Sequence, residues 1–432
     1  MRKPAATRAI EVPAIEVPGP VAGRLIVAFS GGLDSTVLLH RLASQDLRAR
    51  VLAAHVHHGL QPAADGWAAQ AQARCATLGV PFELLRVRVN PADGGGPEAA
   101  ARAARYAALR GLMRPGDALV TAHQRDDQAE TVLLRLLRGT GVDGLAAMQP
   151  LCAFACGWLW RPLLDEPREA LREYAQRHGL SWIEDPHNDD PRYARSWLRR
   201  EVLPLLRTHF PQARDSLART AVLAAEAAGM LAELAAMDLR EARLGDALRI
   251  EALLGLSAGR RRNALRHWLR GRGFGVPGAE ALGRIERELL TAAADAEPLL
   301  AWPGVELRRY REWLYAMAPL PPAPTGQALH WSGAALVLPA GCGELRRAAP
   351  AAAPLKVRFP AGGERFRPRG AAHHRTLKNL FQEAGVPPWV RQRTPLVEQD
   401  GALVYIAGLG PGAGWDGGEV EWLGAPAGTP TG

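Results

Sequence analysis

The chain is 432 residues long, carries a net charge of +9, and is 47% hydrophobic against 22% charged. That length exceeds one compact core and predicts two or three domains, while the composition excludes a disordered chain and the charge favours an acidic partner such as nucleic acid. Lysine occurs only at Lys3, Lys356 and Lys378, so any chemistry that needs a lysine between those first two positions is excluded.

The opening residues, with a duplicated IEVP and repeated prolines, read as a flexible tail over 1–22 and lack the continuous apolar core of a secretory leader. Strands are predicted at 24–29, 51–56, 82–89 and 118–121, each followed by a helical pattern. Strands alternating with helices imply a parallel, doubly wound α/β domain with helices on both faces, assigned to 23–210. The longest apolar run, 151–160, is too short to cross a bilayer. DEPREALREYAQRHGL has an acidic start, a proline in its first turn and Gly179 near its end, which predicts a helix from about Asp165. Beyond a turn region at 186–191, alanine- and leucine-rich patterns running to about Leu290 predict a helical domain, 211–320. Short strands, prolines and glycines from about Glu297 predict a smaller mixed or β domain, 321–432. Cys75, Cys152, Cys156 and Cys342 form no disulfide framework, which fits a reduced, cytoplasmic setting, and Cys152 and Cys156 read as buried structural thiols.

The stretch FSGGLDST, residues 29–36, lies where the first strand turns into the first helix. A glycine-rich turn entering a helix offers free backbone N–H groups to phosphate, and Ser30, Gly31, Gly32, Leu33, Asp34 and Ser35 suit such a loop. The common nucleoside-triphosphate loop needs a lysine on the terminal phosphates, and none is available. An aspartate inside the loop repels phosphate unless a cation intervenes, so Asp34 implies Mg²⁺ accompanying the nucleotide, with no protein-only metal cage. A tight turn capped by serine or aspartate accounts for any one of these residues but poorly for all of them.

SGGLDS resembles the SGGxDS loop of ATP pyrophosphatases, which cleave ATP between the α- and β-phosphates. HVHHGL (55–60), EAAARAARY (98–106), TAHQRDDQAET (121–131) and DPHNDDPRYARSWLRREVLP (185–204) together resemble the tRNA(Ile)-lysidine synthase family. GERFRPRG, LKNLFQEAGVPPWVRQRTPLV and ALVYIAGL extend the resemblance into the last domain. The chain departs from that pattern at His57, Gln61, Gln124 and Ser196.

The resemblance implies an adenine nucleotide alpha hydrolase-like first domain and a ligase that forms a C–N bond on tRNA. Its substrates would be ATP with Mg²⁺, L-lysine and tRNA(Ile) with a wobble cytidine. It assigns Asp34 and His123 to catalysis, Asp127 and Glu130 to catalysis and lysine binding, and Arg102, Arg105 and Arg195 to phosphate or tRNA. The two later domains would bind and dock the tRNA. In isolation, Asp126, Asp127 and Glu130 also read as acids complementing a helix dipole, and the arginines as a solvated face. Arg199 and Arg200 are weaker tRNA candidates, and Trp197, Trp389 and Arg391 are either RNA contacts or core residues. Rival readings are a tRNA thiolase, an NAD-type synthetase and a non-catalytic RNA-binding protein. No membrane partner is expected, and the choice between monomer and homodimer is not fixed by the sequence.

Overall fold

The computed structural model describes residues 14–59, 61–89, 97–184, 193–293, 296–348 and 354–429. The chain divides into two compact units, Met1–Gly229 and Met230–Gly432.

The first unit is built on a six-stranded sheet with the order β3-β2-β1-β4-β6-β5. Its strands are β1 (Leu25–Ala28), β2 (Val51–His57), β3 (Phe82–Arg86), β4 (Ala118–Val120), β5 (Leu151–Phe154) and β6 (Gly157–Trp160). All neighbours are parallel except β5, which returns antiparallel along β6. Alternation along β1 explains the two-faced core. Leu25 and Val27 pack with Val37, Leu38, Leu42 and Leu171 on one side, while Ile26 packs with Leu109, Leu119 and Leu159 on the other.

Helices α1 (Leu33–Ala43), α2 (Ala64–Leu78), α3 (Pro97–Leu112) and α4 (Arg125–Leu137) follow the four predicted strands in turn. The short α5 (Val142–Leu145) precedes the β5–β6 hairpin, and α6 (Arg168–Arg177) follows it. The helix predicted from Asp165 begins three residues later, after Pro167, which sits in extended backbone at its N-cap. The apolar run 151–160 is that hairpin, reversed through Ala155 at φ 52°. Cys156 at its turn is exposed and Cys152 half-buried, so the expectation of two buried thiols is corrected. A hairpin at a sheet edge turns one residue of an apolar run outward at its tip.

The tail expectation also needs correction where the structure describes it. Ile15 and Val21 are buried in the core beside Leu25 and Val37, and Arg50 donates to the carbonyls of Val21 and Gly23. Prolines stop regular structure here without stopping burial. The turn region at 186–191 lies outside the described residues.

A π-type turn over Leu198–Val202 links α7 (Ala194–Trp197) to α8 (Leu203–His209), and α9 (Ala213–Ala242) begins soon after. Two crossed ion pairs tie the start of α9 to the start of α4: Arg125 to Asp215 at 2.8 Å and Arg214 to Asp126 at 2.6 Å. Among the described residues, α9 is the one helix long and apolar enough to cross a membrane by length and composition. The sequence reading weighed only the shorter 151–160 run.

In the second unit, Ile250–Leu254, Ala258–Gly271 and Ala279–Arg284 are helices. The stretch expected to be helical also contains strands. Arg243–Leu244 and Ala247–Arg249 open a five-stranded antiparallel sheet completed by Trp313–Met317, Val305–Tyr310 and Leu299–Trp302. Trp268, Leu269 and Ile285 meet Leu300, Leu307 and Leu314 in its core. The remainder holds five-, three- and two-stranded antiparallel sheets with the short helices Leu377–Glu383 and Pro388–Arg391.

Candidate active site

Strand order reverses between β1 and β4, and ligands in doubly wound sheets bind at the carboxyl edge of that reversal. The loop after β1 and the loop after β4 therefore open toward one place.

In the first loop Gly31 holds φ at +83°, and a Cβ there would stand 2.6 Å from Ile183 Cδ1, so both backbone and space require glycine. Its carbonyl accepts from Ile183 N at 2.9 Å and from Thr36 Oγ1 at 3.2 Å. Ser35 Oγ donates to the Gly32 carbonyl at 3.0 Å and lies 3.0 Å from Ser30 Oγ, while Gly32 N donates to Ser30 Oγ. No side chain caps the helix start at Gly32, which leaves the first amides of α1 available to an anion. Leu33 has its side chain in the core, so only its backbone is available to an anion.

Asp34 sits one residue inside α1, half-buried, with Oδ1 shielded and without a hydrogen-bond partner among the described residues. Burial first, then the Asp127 charge, pushes its carboxyl up to about 6 against the opposing pull of Arg168 and Arg199. Among the described residues, no three His, Cys, Asp or Glu side chains converge to hold a metal.

The second loop enters α4 through a capping box. Gln124 takes a hydrogen bond from Asp126 N at 2.6 Å, and Asp127 Oδ2 takes one from Gln124 N at 3.1 Å. Gln124, one of the departures from the family pattern, therefore does local work. Glu130, one turn on, is 0% exposed. Both its oxygens accept from Arg199, Oε1 from Nε at 2.7 Å and Oε2 from Nη2 at 3.0 Å, and the same Nη2 reaches Asp127 Oδ1 at 3.2 Å. Burial first, and only partly offset by Arg199, pushes the Glu130 carboxyl up. Burial also works against the charge on Arg199, but Glu130, Asp127 and Asp34 outweigh it and push its pKa up. Arg199 was expected at most to touch RNA. It bridges the two carboxylates assigned to lysine, a role that the sequence reading did not give it. A signal was present, since Arg195 and Arg199 are four apart and share a helical face.

His123 Nδ1 lies 2.9 Å from Thr121 Oγ1. Burial, followed by the charges of Arg161, Arg102, Arg105 and Arg195, pushes it down to about 3, so its ring is neutral at physiological pH. Arg195 donates to Thr131 Oγ1 at 3.2 Å and stands 4.0 Å from Glu130 Oε2. Arg102 and Arg105 lie over the Tyr106 ring, at 4.9 and 5.7 Å from its centroid. Arg105 also helps line a cavity of about 360 Å³ beside the loop, with Ser30, Gly32, His58, Trp67 and Ile183. Of these lining residues, the sequence reading marked only Arg105 and the loop residues.

Other candidates fall elsewhere. Trp197 is 46% exposed, whereas Trp389 is buried and donates to the Ala427 carbonyl, and Arg391 is held by Val386 O and Tyr310 Oη. Cys75 is buried in the core, its thiol pushed up to about 11 by burial, which makes it a poor candidate for the reactive cysteine of a thiolase reading.

Three family descriptions match the chain: the PP-loop domain over 7–206, the TilS substrate binding domain over 248–315 and the TilS substrate C-terminal domain over 355–423. Curated relatives described as tRNA(Ile)-lysidine synthase include one from Alkalilimnicola ehrlichii, 44% identical over 409 residues and 92% of each chain. One from Xanthomonas campestris is 42% identical over 388 residues, covering 88% of this chain and 89% of that one. One from Methylococcus capsulatus is 43% identical over 398 residues, covering 88% and 90%. With the nucleotide loop, the carboxylate pair and likeness over nearly its whole length in agreement, the chain belongs to the tRNA(Ile)-lysidine synthase family.

Proposed function

We infer that this chain is a tRNA(Ile)-lysidine synthase, an ATP-dependent ligase joining L-lysine to the wobble cytidine of tRNA(Ile). The observation that carries the reading is a lysine-free phosphate loop beside Asp34, Asp127 and Glu130, three carboxylates that all act on Arg199. In the first step the cytidine C2 oxygen attacks the α-phosphorus of ATP, a new O–P bond forms and pyrophosphate leaves. In the second, the lysine ε-amine attacks C2, the C–O bond breaks and AMP departs with the oxygen. Adenylation is needed because a ring carbonyl oxygen is otherwise a poor leaving group.

Ser30 to Ser35 and the open amides of α1 suit the triphosphate. Asp34 fits Mg²⁺, which takes one or two carboxylates together with substrate phosphates; when bound, the ion would neutralise phosphate charge as pyrophosphate leaves. Asp127 and Glu130 suit the ammonium of lysine, provided that Arg199 gives way or shares them. The ε-ammonium, with a pKa of about 10.4, must lose a proton before attack. Glu130, raised by burial, is better suited to accept it than His123, held at about 3. The neutral His123 ring remains able to hydrogen-bond at the reacting base. Arg102, Arg105 and Arg195 suit phosphates of the nucleotide or the tRNA.

The test is nucleoside analysis of tRNA(Ile) after incubation with the protein, ATP and L-lysine. Lysidine should appear with AMP and pyrophosphate in equal amounts, and only when lysine and tRNA are both present. ADP and orthophosphate as products would refute the reading.

A further inference from the structure

The charges of four arginines, Arg161, Arg102, Arg105 and Arg195, act on the His123 ring. Among the described residues, Arg102 meets the hydroxyl and ring of Tyr106, Arg105 the same ring, and Arg161 the Gln149 carbonyl and Cys152 Sγ; none of the three meets a carboxylate. Arg195 has only Glu130 near it, at 4.0 Å, and Arg199 already holds that side chain. Arg161 is the least explained member. It is 8% exposed, and its Nε has no hydrogen-bond partner among the described residues. The backbone brings it to the site. β6 ends at Trp160, whose carbonyl accepts from Thr121 N at 3.0 Å, and Thr121 Oγ1 lies 2.9 Å from His123 Nδ1. Arg161 thus begins at the same carboxyl edge as the two site loops. After burial, its charge is the largest influence on the His123 ring.

Gathering guanidinium groups without counter-charges destabilises the empty site, and a bound anion removes that penalty. The triphosphate already has a seat in the amides of α1 and the serines of the first loop. We propose that Arg161 completes, with Arg102, Arg105 and Arg195, a separate phosphate seat around His123, filled by a phosphodiester of the RNA strand beside the target cytidine. Arg161 forms its floor as a positioning residue, and the exposed Arg102 is on its rim. The proposal rests on the tRNA reading above and adds a residue and a subsite to it. A phosphate of the nucleotide has the same chemistry, and the experiment separates the two sources.

The full chain and a fluorescent tRNA(Ile) transcript are titrated over a range of KCl concentrations, with ATP affinity measured in parallel. For Arg161→Gln, the log–log salt slope should flatten by about 0.7, the value for one phosphate neutralised on a single strand. Affinity at ~0.15 M salt should fall about tenfold, while ATP affinity stays within about twofold. Arg161→Lys, which keeps the charge, should recover most of both RNA effects. A purely structural role would leave the slope unchanged. Weaker ATP binding with an unaltered RNA slope would overturn the RNA source in favour of the nucleotide. An unaltered slope and unaltered ATP affinity would overturn the seat altogether. If Arg161→Gln does not fold, the exposed Arg102→Gln must show the same flattening, and its failure to do so rejects the proposal. Lysidine formation by the unsubstituted chain is scored alongside, so a failed function reading shows as missing product and a failed seat as an unmoved slope.

Discussion

Replacing Arg199 by alanine removes the partner of both Glu130 oxygens, leaving Arg195 Nη1 at 4.0 Å as the nearest remaining cation. Glu130 is 0% exposed, so its carboxylate would be left unpaired away from water. Breaking a buried pair in this way costs about 3–5 kcal/mol. For a unit of roughly 200 residues, each kcal/mol moves the midpoint by about 2–4 °C, so Tm at pH 8 should fall by about 6–20 °C. The loss should shrink in acid. Without Arg199 the folded-state pKa of Glu130, already raised by burial, rises further. A carboxyl raised on folding contributes stability that is full below its unfolded pKa and lost as pH rises through the folded value. The deficit should therefore be smaller at pH 5 than at pH 8, and Glu130→Gln placed in the same variant should recover most of it. Thermal unfolding followed by tryptophan fluorescence at several pH values checks this. A shift below about 2 °C at pH 8, or no recovery with the second substitution, would refute the view that Arg199 neutralises a buried acid.

Asp34→Asn should abolish pyrophosphate release while leaving tRNA binding within about twofold; substantial turnover would remove Asp34 from the nucleotide site. Asp34 is raised to about 6 in the metal-free protein, so Mg²⁺ must compete with a proton there and turnover at limiting Mg²⁺ should fall as pH drops below about 6. Its contribution to stability runs the other way, growing as pH drops from about 6 toward its unfolded value. A turnover profile at limiting Mg²⁺ that stays flat from pH 5 to 7 would contradict the first statement, and an Asp34→Asn stability difference that does not change with pH would contradict the second. Gly31→Ala should cost about 1–2 kcal/mol for the left-handed backbone alone, with further loss from the clash with Ile183. Equilibrium denaturation reads both effects, ATP titration reads the loop itself, and an unaffected ATP affinity would detach Gly31 from the phosphate loop.

The four strands were legible because each is a short apolar run followed by a 3.6-residue pattern, and the loop was legible because its residues are contiguous. The carboxylates of α4 were found for the same reason, since Asp127 and Glu130 lie one turn apart. What periodicity does not carry is the meeting of distant segments. Arg199 reaches Glu130 across 69 residues of chain, and whether that arginine faces RNA or an acid depends on where the π-type turn points it. Arg161 looked like the end of an apolar stretch until the β5–β6 hairpin brought that stretch to the sheet edge. The strands Arg243–Leu244 and Ala247–Arg249 were missed because two- and three-residue strands have no period to detect, and Trp313–Met317, which joins the second of them to the sheet, lies more than 60 residues on. Ile15 and Val21 were read as tail because prolines mark irregular backbone and say nothing of burial.

The Asp127 carboxylate is divided between two tasks, one oxygen closing the cap at Gln124 N and the other meeting Arg199. Each oxygen keeps a second lone-pair direction, so an incoming amine could bond Asp127 without breaking either contact. Glu130, with no exposure and both oxygens held by Arg199, would meet an amine only after that arginine moved, so a shift of one guanidinium would decide how many acids face the nucleophile.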